Sequence, residues 1–168
     1  MMRSLLPRRR WPRSPGSPEL RRGVRLAIDV GTVRVGVARS DPDGILAVPE
    51  ATLARDDNTI ARIVELVEEH HAWIVYVGLP IGLDGAQGAA ARGATAFAAD
   101  LAARLEVPVH LVDERLTTVT AQRSMREAGR STRESRAYID QAAAVVILEN
   151  ALSSERADGT PAGQAVTV

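Results

Sequence analysis

Apolar residues follow two different rhythms along the chain. From Val24 to Val30 and from Val33 to Ser40 they alternate with small or polar residues or run together, with Gly31 and Thr32 between, as in two strands joined by a tight turn. Ile45 to Arg55 offers a third strand, and Pro49 within it, which has no amide proton to donate, places it at a sheet edge. The period then lengthens. Ile60, Ile63, Val64 and Val67 share one face of a helix for which Asp56, Asp57 and Asn58 are cap candidates. WIVYVGLP from Trp73 predicts a buried strand ending in a Gly-Pro loop, and IGLDGAQG leads into a second helix with Phe97, Leu101 and Leu105 on its packed side. VPVHLVDE from Val107 is another core strand. Thr117 or Thr118 can cap a third helix that Gly129 ends, and the alanine-rich run Ala137 to Leu152 predicts a last one. Three successive strands followed by alternating helices and strands predict an α/β fold: a five-stranded mixed sheet flanked by helices, with no internal repeat.

The two ends stand outside this pattern. Residues 1–22 combine arginines with prolines, serines and glycines and have no apolar face, which predicts a disordered basic arm. It reads either as a tether for nucleic acid or as a dispensable extension. Residues 23–152 form the folded domain, and residues 153–168, polar and rich in small side chains, are expected to be a disordered tail. At 168 residues and 45% hydrophobic content, one domain with a full core is comfortable. The absence of cysteine excludes disulfides, thiolate metal sites and cysteine nucleophiles, and suits a cytoplasmic protein. No run approaches the roughly 18 apolar residues of a membrane span, and the first segment lacks a signal peptide's apolar core. The expectation is a protein without a membrane partner.

Charge alters the picture only locally. All 21 basic residues are arginine, a bias that reads as genomic. Net charge is zero, yet residues 1–25 carry eight arginines and one glutamate, leaving 13 arginines against 20 acids elsewhere. That balance disfavours tight nonspecific duplex binding by the folded part while allowing a basic strip. Such a strip runs from Arg115 to Arg136, where six arginines meet two glutamates.

The candidate chemistry begins with Asp29, a carboxylate inside an apolar strand, where burial without partners costs several kcal/mol. Ala27 and Gly31 share its face, and pairing Asp29 opposite Gly36 and Ala27 opposite Ala38 would widen the hollow across both strands. Asp113 and Glu114 end the last core strand. Asp140 lies early in the alanine-rich helix on a face with Ala143, Ala144 and Ile147, and alanines let that helix approach the sheet. Three carboxylates in one pocket repel one another, and a hard divalent cation such as Mg2+ or Mn2+ resolves the repulsion. Each acid also has a plainer use: Asp29 capping the Gly31 turn, Asp113 or Glu114 pairing with Arg115, Asp140 favouring the positive end of its helix. Strand parity does not choose between Asp113 and Glu114.

Four segments, AIDVGTVRVGVARSD, VGLPIGLDGAQG, LVDERLTT and YIDQAAAVVILENAL, in that order and spacing, resemble the YqgF/RuvX family of pre-16S rRNA nucleases and Holliday-junction resolvase homologues, which have a ribonuclease H-like fold. The resemblance spans about Gly23 to Leu152. It implies that Asp29, Glu114 and Asp140 are the catalytic acids and metal ligands, holding two Mg2+ or Mn2+ ions. Such a pair, about 3.5–4 Å apart, activates water on one side of a phosphodiester and stabilises the leaving oxygen on the other. The implied activity is endonucleolytic, in 5′ processing of pre-16S rRNA; the alternatives are resolution of branched DNA and a noncatalytic nucleic-acid or transcription partner. Nucleic-acid contacts are expected from Arg34, Arg115, Arg123, Arg126, Arg130, Arg133 and Arg136, in a monomer or weak homodimer. No histidine is needed as base, and His70, His71 and His110 read as helix-end or strand residues. Aromatics are too few for an extended stacking platform. Ala27, Gly82, Gln87 and Tyr138 depart from the family's usual residues without removing an implied ligand. IDVGT also resembles the first phosphate motif of actin and Hsp70-type ATPases, which need two such domains where this chain has length for one.

Overall fold

The alternation at the start of the chain produces an antiparallel meander of β1 (Arg25–Val30), β2 (Arg34–Ser40) and β3 (Ala47–Ala54). In this computed structural model, which describes residues 20–82, 85–114 and 133–168 with side chains of the last stretch from residue 137 onward, helix α1 (Thr59–Glu69) leads to β4 (Ile74–Leu79) and α2 (Ala89–Ala102) to β5 (Val109–Asp113). Helix α3 (Arg133–Asp158) and a short β6 (Gln164–Ala165) complete the described chain. The sheet order is β3-β2-β1-β4-β5-β6, with β4 parallel to both β1 and β5. The mixed α/β sheet flanked by helices is thus as expected, but with six strands rather than five.

Period-two alternation divides the core. Leu26, Ile28, Val35, Val37, Val75 and Val77 pack on one face against Ile63 and Val67 of α1 and Phe97, Ala98 and Leu101 of α2. Ala27, Ala38, Ile74, Tyr76 and Val112 face the other way, against Ala144, Ile147, Leu148, Ala151 and Leu152 of α3. Small residues on the second face are what let a long helix lie close to the strands. Strand β3 does form the edge, and its pairing with β2 shifts register between Val37 and Ala38, where Pro49 sits opposite Ala38. That irregularity accommodates a residue without an amide proton.

The expected disordered tail is a correction. Helix α3 continues six residues past Leu152, and Gly159, at φ 73°, receives the chain at its end with its amide donating to the Glu155 carbonyl at 2.8 Å. The chain then returns beside β5, where Gly163 adopts φ 71° and any Cβ would strike the Leu111 carbonyl. His110 pairs with Ala165 and Leu111 with Gln164. Two residues in the left-handed region and a vacant sheet edge order a segment whose composition has little apolar content.

Glu155, inside that supposed tail, is buried with Arg25. The guanidinium donates to the carboxylate through Nε and Nη2, the latter at 2.7 Å, and to the carbonyls of Gly23 and Arg21. The Tyr76 hydroxyl donates to the same carboxylate, and burial followed by that bond pushes its pKa upward. Arg21 lies over the Trp73 ring, so the ordered domain begins before residue 23. The third helix expected between Thr117 and Gly129 lies outside the described residues. Among the described residues no helix is long and apolar enough to cross a membrane.

Candidate active site

The site is built where two glycines remove side chains from the sheet. Asp29 pairs with Gly36 and Ala27 with Ala38, the expected register, so the Asp29 side shares its face with residues too small to fill it. A Cβ on Gly36 would collide with the Asp140 carbonyl; the backbone of α3 therefore rests directly on β2. Thr52 of β3 fastens the same end of the helix, its hydroxyl donating to the Ala137 carbonyl at 2.9 Å. Together these contacts carry Asp140 over the β1–β2 hairpin.

Glu114 arrives from the other side. Its amide donates to the Leu79 carbonyl at 3.1 Å, which extends the β4–β5 ladder one residue beyond the strand. Val112 packs against α3, and Glu114, two positions on, turns to the same side. Its carboxylate lies over Gly78, where a Cβ would meet Glu114 Oε1 and Ile147 Cδ1. Glu114 thus lies on the sheet face that carries Asp29 and α3.

Electrostatics link the acids in a chain. Burial, and secondly the Asp140 charge, push the Asp29 carboxyl from 3.8 up to about 6. Burial, then the charges of Asp29 and Asp113, push Glu114 from 4.5 up to about 7. Asp140 has a cation beside it: Arg34 Nε donates to its Oδ2 at 2.7 Å. Among the described residues no three carboxylate or histidine groups are already arranged to enclose a metal ion. The donor set nevertheless suits a hard cation, since it consists of carboxylate oxygens whose repulsion a positive ion would relieve. Two of the three histidines are engaged elsewhere: His70 Nε2 lies 2.7 Å from Glu50 and His110 Nδ1 lies 2.8 Å from the Ala162 carbonyl.

Of the residues expected to contact nucleic acid, Arg34 faces the acids. Arg115, Arg123, Arg126 and Arg130 lie outside the described residues, as do the side chains of Arg133 and Arg136 in the first turn of α3. Gly36 was expected opposite Asp29, but Gly78 was not recognised as a site residue from the sequence; a glycine inside an apolar strand, marking a close approach, was the available signal.

A family model described as "RuvX: Holliday junction resolvase" matches residues 23–154, most of the chain. The protein belongs to the RuvX family. Among its RuvX-family relatives, "Putative pre-16S rRNA nuclease" of Thermobifida fusca is 54% identical over 155 residues, covering 88% of this chain and 98% of that protein. The protein of the same name from Mycobacteroides abscessus is 53% identical over 153 residues, covering 89% of this chain and 92% of the other. Among solved structures, T. thermophilus RuvC in complex with Holliday junction substrate aligns over 86% of this chain and 99% of its own, at 16% identity and a TM-score of 0.49. The RuvX match runs from the residues preceding β1 into the helix that carries Asp140, so all three acids fall inside it.

Proposed function

We propose that this RuvX-family protein is a divalent-metal-dependent endonuclease acting on ribosomal precursor RNA, in 5′ processing of 16S rRNA. Asp29, Glu114 and Asp140 serve as its catalytic acids and metal ligands. The observation that carries the reading is the arrangement of these carboxylates on one side of the sheet. Two are pushed upward, Asp29 to about 6 by burial and then the Asp140 charge, Glu114 to about 7 by burial and then the charges of Asp29 and Asp113. The names of the relatives support the substrate class.

A pair of Mg2+ or Mn2+ ions held there would supply acidification of water and neutralisation of the leaving oxygen's charge. The chain's own residues prepare that chemistry. Asp29 and Glu114 release their protons close to physiological pH, so a cation gains two ligands at little protonic cost. Gly36 and Gly78 bring α3 and the Glu114 carboxylate close to the sheet, which limits water around the acids. Arg34 and the arginines of the Arg115–Arg136 strip supply positive charge for the substrate backbone. The protein would work in the cytoplasm on nucleic acid, as a monomer or weak homodimer.

The family description favours a second substrate, branched DNA. One preparation tested with Mg2+ and Mn2+ on a 5′-extended 16S precursor and on a four-way DNA junction separates the two. Metal-dependent cleavage of the precursor is expected. Cleavage of the junction alone would assign the activity to DNA, and cleavage of neither would favour a noncatalytic partner.

A further inference from the structure

Among the described residues, Arg34 is the basic side chain bonded to an acid of the site that a metal would need. Arg34 opens β2 on the same strand face as Gly36 and Ala38, and so on the face of Asp29. The Gly31 amide donates to the Arg34 carbonyl at 2.9 Å, closing the hairpin and fixing the arginine's backbone. From there the side chain crosses to α3, where Nε lies 2.7 Å from Asp140 Oδ2. The pair is half-buried, with 32% of the arginine side chain and 19% of the aspartate exposed, so it can open without uncovering the core.

A guanidinium at this distance and a divalent ion on the same carboxylate would repel each other, so Asp140 serves one of them fully at a time. Arginine is also suited to the alternative state. It stays charged at any working pH, and its planar donors fit phosphate as well as carboxylate.

We propose that Arg34 is a resident counter-ion: it holds Asp140 in the metal-free protein, yields it to an incoming divalent cation, and then turns its guanidinium to a substrate phosphate. This rests on the metal-dependent nuclease reading and adds a coupling to it. A phosphate that draws Arg34 away removes the metal's competitor, and by linkage a bound metal strengthens phosphate binding equally.

The first test is Mn2+ titration calorimetry on the full chain without nucleic acid. Arg34→Gln should bind Mn2+ about fivefold more tightly than wild type, the direction expected when a competing cation is removed. Arg34→Lys, which keeps the charge, should stay within about twofold. At saturating Mn2+, Arg34→Gln should need several-fold more precursor RNA for half-maximal single-turnover cleavage. These opposed shifts do not arise from a residue that merely braces the site. Unchanged or weaker Mn2+ binding by Arg34→Gln, with wild type binding normally, would overturn the exchange and leave Arg34 as a positioning residue for Asp140. If neither protein takes up Mn2+, the metal reading itself fails and the exchange falls with it. A second measurement needs no variant: the Arg34 Nε–H resonance of wild type, followed by NMR, should shift and exchange faster as Mg2+ is added. A resonance unmoved at saturating Mg2+ would overturn the proposal.

Discussion

Replacing Asp29 with asparagine should make the metal-free protein more stable at pH 8. The carboxyl titrates at about 6 in the fold against 3.8 as its ordinary value, chiefly because it is buried and secondly because Asp140 is near. Each unit of difference corresponds to about 1.36 kcal/mol, so ionised Asp29 costs the fold up to about 3 kcal/mol. Its partial exposure lets solvent screen that figure to about 1–2 kcal/mol. A raised folded-state pKa means that the native protein keeps a proton which the unfolded chain has already released. The resulting stability is complete below about pH 4 and is lost as pH rises through about 6. Asparagine carries no charge, so the variant's advantage should be absent at pH 4, grow across that window and level off above it. Urea unfolding of both proteins at pH 4, 6 and 8 in chelator measures the difference directly. Wild type should then recover stability with Mn2+, while the variant should not. A variant equal to or less stable than wild type at pH 8 would refute the reasoning. It would mean that the fold favours the ionised carboxylate, as in a cap on the Gly31 turn.

Three further substitutions test the scaffold. Gly36→Ala forces α3 off β2 and should cost about 1–3 kcal/mol in urea unfolding, with weaker Mn2+ binding because Asp140 moves with the helix. Gly78→Ala should reduce single-turnover cleavage far more than it reduces the melting temperature, since the added methyl meets the Glu114 carboxylate before any backbone. Glu155→Ala leaves the Arg25 charge buried and unpaired, and should cost about 3–5 kcal/mol in urea unfolding.

The parts legible in the sequence are those decided by neighbours along the chain. The pairing of Asp29 with Gly36 and of Ala27 with Ala38 was one register that strand parity and the short Gly31 turn allow, and the structure adopts it. Alanines around Asp140 likewise indicated a helix able to lie close to the sheet. Contacts between distant residues were harder to read. Arg34 looks like a phosphate ligand until its partner, 106 positions away, comes into view. Glu155 looks like a tail residue until Arg25 is found opposite it, 130 positions earlier. Strand parity left Asp113 and Glu114 open and the resemblance supplied Glu114; its place over Gly78, beside the Leu79 carbonyl it bonds through its amide, depends on another strand and was not legible. Strand β6 was missed because its order comes from the edge of β5 and two left-handed glycines, and composition reports neither.

The central claim is that Asp29, with Glu114 and Asp140, supports metal-dependent phosphodiester hydrolysis, and single-turnover cleavage of a 5′-extended 16S precursor tests it most directly. Wild type and Asp29→Asn, purified identically, are compared with Mg2+, with Mn2+ and with chelator. Wild type should cleave only when metal is present, and the variant, folded and at least as stable, should fall to the chelator background under every condition. Equal metal-dependent rates in the two proteins would contradict the assignment and place the activity at another site.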